Sequence, residues 1–279
     1  ILLLYWEIIR SFTLQQSISV WVINLKKRPD RLENIGKKLN ELGVLWERID
    51  AIDGRICDDD LLNLSKKKGK IGNMSKSTRG CTASHFKCWE AILSSKSDYG
   101  IVLEDDVDLS NDFKKLISNT EWIPRNAKLI KLEKFAANRH SKLLLGPKIS
   151  STLNGTRSLR KMYSRHCGAG AYLFSKEGVK MALSWNKRLT VPIDHHLFNE
   201  TVSQLSSKLE PLILVPPVAW QSDEIGQGSD IDEDNYKAIS KLKKIPRSIK
   251  RGYYEIRLWP YQLFVLLSCK AKIIKVSKK

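Results

Sequence analysis

Few features of the sequence point to a staple, an anchor or a leader. Its five cysteines, Cys57, Cys81, Cys88, Cys167 and Cys269, form no CxxC pair, and an odd number cannot all pair within one chain. That argues against a disulfide scaffold and for a reducing compartment. No apolar run is long enough to span a bilayer: Leu258 to Cys269 covers about a dozen residues and is interrupted by Pro260. Ile1 to Leu14 carry Glu7 and Arg10 and lack the basic start and small-residue cleavage site of a signal peptide. There is no internal repeat at a solenoid or propeller period, and no segment of biased composition. Acidic residues are also scarce, 30 Asp and Glu against 48 Lys and Arg, for a net charge of +18. Such an excess implies a polyanionic neighbour, but no helix-turn-helix, finger or RNA-binding signature accompanies it.

The 279 residues are 42% apolar, enough for one sizeable core. Val20 to Leu25 is a short β-branched run that reads as a buried strand ending in Asn24. Pro29 and Asp30 then open a helix with Leu32, Ile35, Leu39 and Leu42 on one face and Gly43 as its stop. A second strand is expected over Val44 to Ile49, and Lys66 to Lys76 reads as a basic loop. Cys81, His85, Cys88, Trp89 and Ile92 recur at helical spacing before a strand at Gly100 to Leu103. Further strands are expected at Lys128 to Leu132 and Ala169 to Phe174, then a helix from Ser175 to Trp185 with Ser175 as N-cap. Alternating strands and helices predict an α/β fold with a mostly parallel central sheet, whose ligands sit at the carboxyl ends of its strands.

Four constellations carry candidate chemistry. Glu104, Asp105 and Asp106 follow a buried strand directly. Three adjacent carboxylates repel one another unless compensated, so the cluster suits a hard divalent cation such as Mn²⁺ or Mg²⁺. The alternative is a solvated acidic turn in which Asp106 or Asp108 caps the next helix. Asn24 stands with Lys26, Lys27, Arg28 and Arg31, cations able to hold phosphates, or else a solvated helix start. Gly80 to His85 places a histidine on an apolar-leaning helix face, where a structural hydrogen bond is the commoner role. Asp194, His195 and His196 offer groups able to take a proton from a hydroxyl near neutral pH, with an N-cap at Asp194 as the alternative.

In this order and spacing, VINLKKRPDR (22–31), ERIDAIDGR (47–55), GCTASHFKCWEAI (80–92), IVLEDDV (101–107), CGAGAYLFSKEGVKMAL (167–183) and VPIDHHLF (191–198) resemble glycosyltransferase family 25. This is the family of lipo-oligosaccharide and collagen-type galactosyltransferases. PPVAWQ (216–221) with Gly228 to Ile231 is a weaker echo. The resemblance implies the glycosyltransferase A-type α/β fold, a UDP-sugar donor and inversion at the anomeric carbon. It implies that Glu104, Asp105 and Asp106 form the metal motif, with Asp106 the first choice of direct ligand. Asn24, Arg28 and Arg31 would line the nucleotide, Asp53 would lie near uridine or ribose, and Gly168 to Tyr172 would pass beneath the donor. Asp194 would be the general base, with His195 or His196 as alternates. In one departure, Lys76 to Arg79 occupy a stretch where relatives often carry Gly-Glu.

These readings divide the chain into an N-terminal extension (1–18), a catalytic domain (19–235) and a basic amphipathic tail (236–279). The expected protein is a metal-dependent hexosyltransferase using a UDP-hexose, with galactose first, on a lipo-oligosaccharide or related glycan. Its expected location is cytoplasmic, peripheral at the inner face of the inner membrane, with the tail on anionic lipid. A nucleotidyltransferase would carry a glycine-rich loop after the first strand, and NLKKRPDR has no glycine. The competing reading is an inactive homologue that binds membranes or polyanions, against which stands the intact carboxylate triplet.

Overall fold

The computed structural model describes residues 16–57, 69–71, 74–134, 141–185, 190–221, 249 and 252–277. Residues 66–68 and 72–73 of the expected Lys66 to Lys76 loop and the Gly228 to Ile231 echo lie outside them, as do residues 1–15 of the extension and most of the tail before residue 252. From the N-terminus the elements are β1 (Ser19–Asn24), α1 (Pro29–Glu41), β2 (Glu47–Asp50), α2 (Lys76–Ser94), β3 (Tyr99–Glu104) and β4 (Val107–Leu109). Next come α3 (Phe113–Ile117), β5 (Leu129–Lys131), β6 (Glu133–Lys134), β7 (Ser141–Thr152), β8 (Arg157–Met162) and β9 (Ala171–Ser175). The chain continues through α4 (Lys176–Ser184), α5 (Ile193–Phe198), α6 (Gln204–Leu209), β10 (Leu212–Val215), β11 (Ala219–Gln221), α7 (Trp259–Leu267) and β12 (Lys272–Val276).

The fold is mixed α/β. A nine-stranded sheet in the order β12-β7-β8-β10-β5-β9-β3-β1-β2 is flanked by helices, and β4, β11 and β6 form a small second sheet. Side chains on the central strands alternate between two cores, as the two-residue period requires. Val20, Val22, Ile101, Leu103, Ala171 and Leu173 face one core with Ile35 and Leu39 of α1 and Phe113 of α3. Trp21, Ile23, Val102, Tyr172 and Phe174 face the other, with Trp89 and Ile92 of α2, Val179 of α4 and Leu197 of α5. Burial on both faces is why these strands read as unbroken apolar runs.

The expected mostly parallel sheet is corrected to a mixed one. β1 pairs in parallel with β2 and β3, and β5 with β10, but β9 runs antiparallel between β3 and β5. β8 is antiparallel to both β7 and β10, and β12 to β7. β7 and β8 form a hairpin whose turn has Leu153, Asn154 and Gly155 at positive φ, and so short a connection can join only antiparallel strands. The second strand begins at Glu47, later than its expected start at Val44. Gly43, at φ +66, and Val44, whose N–H bonds Leu39 O, close helix α1 instead. Within the described part of the basic tail, β12 is the outermost strand of the large sheet, and α7 packs Val265 against Leu144.

This mixed order gathers the chemistry at one edge. β1, β2, β3 and β5 share a direction, so Asn24, Asp50, Glu104 and Lys131 arrive at the same side. β9 runs the other way, so the Gly168 to Gly170 segment that starts it arrives there too, and Glu104 N–H donates to Gly170 O at 2.8 Å.

Candidate active site

The cleft at this edge is lined by Arg31, Asp53, Gly54, Arg55, Ser77, Cys81, Ser84, His85, Glu104, Asp105, Asp106 and Gln221, among others. One wall is the 51–57 loop, pressed onto the start of α2 backbone to backbone. A Cβ on Gly80 would lie 2.4 Å from Gly54 N and 2.5 Å from Ile52 O, and one on Gly54 would lie 1.8 Å from Lys76 O. Only glycine permits that approach. Ser84 Oγ accepts from Ile52 N–H at 2.8 Å and completes the joint. Ser75 caps α2 by accepting from Thr78 N–H, so the departing Lys76 to Arg79 stretch is the first helical turn.

The three carboxylates differ in their surroundings. Asp105 is engaged on both oxygens: Asn24 Nδ2 donates to one at 2.7 Å and Arg31 Nη1 to the other at 3.4 Å. Asn24 is buried, also donates to Arg28 O and accepts from Arg48 Nε. It therefore acts on the cleft through Asp105. Glu104 meets His85 Nε2 at 3.1 Å through Oε1. Asp106 keeps Oδ1 buried with no hydrogen-bond partner. Burial, then repulsion from neighbouring carboxylates, raises both Glu104 and Asp106 to about 8.

Beneath them lies a buried ion pair that sequence reasoning missed. Lys131 and Glu133 are both fully buried and bridge at 2.9 Å. Lys131 also donates to Gly168 O, and Gly170 N–H donates to Glu133 Oε1 at 2.9 Å. Glu133 Oε2 has no hydrogen-bond partner, like Asp106 Oδ1. Buried oxygens left without donors beside other carboxylates fit a cation held by oxygen ligands, so the residues present suit the implied metal. The only hint in the sequence was Lys-x-Glu at the end of an apolar strand, which alternation would assign to a solvated face.

A second grouping brings ligand atoms of Cys81, His85 and Glu104 within 4.8 Å of one another. The His85 nitrogens are already engaged, by Tyr172 OH at 2.8 Å and by Glu104. Trp89 Nε1 donates to the same Tyr172 hydroxyl. With Glu104 ionised, all groups are satisfied when Tyr172 donates to Nδ1 and Nε2–H donates to Glu104. Burial lowers His85 to about 4, keeping the ring neutral, and burial with four nearby carboxylates pushes the Cys81 thiol far up. Glu104, His85, Tyr172 and Trp89 form a hydrogen-bonded chain under the cleft, in which Tyr172 supports His85 rather than facing the cleft.

The remaining expected residues are distributed as follows. Asp53 lines the cleft and joins its two basic sides, accepting from Lys27 Nζ at 2.8 Å and Arg55 Nε at 3.0 Å. Arg28 is absent from the lining and forks onto Asp30, whose carboxyl its hydrogen bond lowers to about 2. Asp194 accepts weakly from Gly168 N–H at 3.4 Å and acts electrostatically on Glu104 and His85. His195 turns inward to Asn199 at 2.8 Å. His196 is buried against Ser203, and burial lowers it to about 4.

The site is an acid-rich cleft with basic walls at the carboxyl edge of an α/β sheet, and the sequence comparisons place the chain in the glycosyltransferase class. The profile of "Glycosyltransferase family 25 (LPS biosynthesis protein)" matches residues 17–197, and the chain belongs to that family. It is 27% identical to the lipooligosaccharide biosynthesis protein lic2B of Haemophilus influenzae, over 80% of this chain and 85% of that one. Human procollagen galactosyltransferase 2 is 27% identical over 34% of this chain and 17% of its own. A probable inactive glycosyltransferase 25 family member 3 from Bos taurus is 32% identical over 34% and 17% respectively.

Proposed function

We propose that the chain is an inverting hexosyltransferase that moves a hexose, galactose in the first instance, from a UDP-sugar to a hydroxyl of a lipo-oligosaccharide or related glycan. The observation that carries this reading is the pair of partnerless buried oxygens, on Asp106 and Glu133, beside a cleft walled by Arg31 and Arg55. The names of the relatives from Haemophilus influenzae and human support the acceptor and donor classes.

Asp106 and Glu104 are the residues to hold Mn²⁺ or Mg²⁺. When bound, the cation supplies positive charge to the diphosphate leaving group. Arg31 and Arg55 hold anionic oxygens of the donor, and Asp53 and the Gly54 backbone face its nucleoside. Asp194 takes the proton from the acceptor hydroxyl as its oxygen bonds the anomeric carbon and the bond to the UDP oxygen breaks. Among the three candidates at 194–196, Asp194 is the carboxylate not turned into the core, which favours it as base.

The same reading includes a peripheral contact with anionic membrane at the cytoplasmic face. No helix among the described residues is long and apolar enough to cross a bilayer. Yet Ile249, Tyr253, Ile256, Trp259, Tyr261, Leu263, Phe264, Leu267 and Ile273 are all exposed, nine of the twelve exposed large apolar side chains of the described chain. α7 carries no charged residue of its own, and Lys270, Lys272 and Lys275 follow it, so exposed apolar side chains are next in the chain to cations that anionic headgroups attract. Flotation with vesicles of phosphatidylcholine alone and with added phosphatidylglycerol tests it. Binding confined to the anionic vesicles is expected, and no binding at physiological salt overturns the contact.

UDP release from a panel of UDP-sugars with Mn²⁺ tests the activity. Release from UDP-galactose that disappears with EDTA and in Asp106→Ala is expected. Absence of both turnover and Mn²⁺-dependent UDP binding would favour the inactive-homologue reading, a state named for one bovine relative.

A further inference from the structure

A second cavity, of about 210 Å³, lies between the end of β8, helices α5 and α6, and α7. Its walls carry Tyr163, Arg165, Phe198, Glu200, Glu210 and Tyr261. From this cavity we infer a saccharide subsite that holds the acceptor glycan one or more units away from the reacting hydroxyl. The inference rests on the transferase reading and extends it to the acceptor.

The walls have the chemistry a sugar ring needs, with flat apolar surface for its C–H faces and fixed polar groups for its hydroxyls. Tyr163 and Tyr261 stand with centroids 6.1 Å apart at 57°, forming an angled aromatic corner. The corner is held from two sides: Gln262 Nε2 donates to Tyr163 O at 2.7 Å, and Arg165 bridges Glu255 at 3.0 Å. Glu200 lines the cavity, and burial raises its carboxyl above the usual range against the pull of Lys161. Glu210 is anchored by Lys161, which leaves a carboxylate of known orientation at the rim. Vicinal hydroxyls match such carboxylates, each of which accepts two hydrogen bonds.

The cavity is tied to the reaction centre through a short helix. Asp194 and Phe198 are four residues apart on α5, hence neighbours on one helical face. Phe198 floors the cavity while its ring lies 4.2 Å from Lys131 Nζ. Lys131 in turn donates to Gly168 O, whose own N–H faces Asp194. On the other side Tyr261 belongs to α7, the helix with the exposed apolar face.

Methyl glycosides of glucose, galactose, N-acetylglucosamine and heptose, together with lactose, are titrated onto the full chain and followed by saturation-transfer NMR. At least one ligand is expected to give transfer that falls fivefold or more in Tyr261→Ala and Glu200→Gln and persists in Tyr261→Phe. Hydrolysis of UDP-galactose without acceptor is expected to stay within twofold of wild type in all three variants. No transfer from any ligand, or transfer undiminished in both Tyr261→Ala and Glu200→Gln, overturns the subsite. Failure of the transferase reading shows differently: UDP release is absent from the wild type whatever the glycosides do.

Discussion

At the carboxyl edge of the sheet, polar groups are drawn into the protein and matched to one another. Asn24 serves Asp105, His85 serves Glu104, and Lys131 serves Glu133 with no exposure at either partner. Along the outermost strand, around β7, β12 and α7, apolar side chains are turned outward, with Leu267 at 74% and Trp259 at 61% exposure. Both arrangements cost stability relative to an ordinary core and surface. In the proposed function the difference is in what would recover the cost: an ion and an anionic donor at one edge, a lipid surface at the other. Substitutions should therefore act on stability at the first edge and on association at the second.

The largest effect is expected from Lys131→Met, which leaves Glu133 buried without its cation. Loss of one partner from a buried pair costs about 3–5 kcal/mol, and chemical denaturation of the purified variant measures it. A cost below about 1 kcal/mol would remove the buried pair from the comparison. Gly80→Ala comes next, because its Cβ meets backbone at 2.4 Å rather than a flexible side chain. About 1–3 kcal/mol of lost stability is expected, with weaker UDP binding as the 51–57 loop is pushed off α2.

A smaller effect is expected from pH. Glu104 and Asp106 rise from ordinary values of 4.5 and 3.8 to about 8 in the folded chain, so the folded state binds their protons more tightly than the unfolded state does. Their contribution is fully present below about pH 4 and is lost as pH rises through about 8. Thermal melts of the metal-free protein should fall from about pH 5 to about pH 8.5, and Mn²⁺ should recover roughly 3 °C at the higher pH and little at the lower. A recovery equal at both values would separate the cation from these carboxylates. Leu267→Ser should have the smallest effect on stability, within about 0.5 kcal/mol, while weakening vesicle flotation.

The first edge was far more legible in the sequence than the second. VWVIN and IVLE stand out because β1 and β3 are buried on both faces, and helix α1 is marked by Pro29 at its start and Gly43 at its end. The acidic triplet marked the site, but its division of labour did not show. That Asp105 is held by Asn24 and Arg31, leaving Asp106 free on one oxygen, depends on contacts spanning 81 and 74 positions of sequence. The direction of β9 was equally hidden, since a buried strand reads the same both ways. β7 and β8 escaped because their partly and fully exposed positions, Lys, Ser, Thr, Pro, Ile and Arg, do not alternate regularly with the buried ones, and β7 is irregular between Leu145 and Ser150.

In the proposed function the carboxylates at the end of β3 hold a divalent cation for a uridine diphosphate donor. Calorimetric titration of UDP into the full chain, with and without Mn²⁺ and beside Asp106→Ala, tests it most directly. Binding that requires Mn²⁺ and is lost in Asp106→Ala while the variant remains folded is expected. Binding of equal strength without metal, or undiminished in the variant, would contradict it.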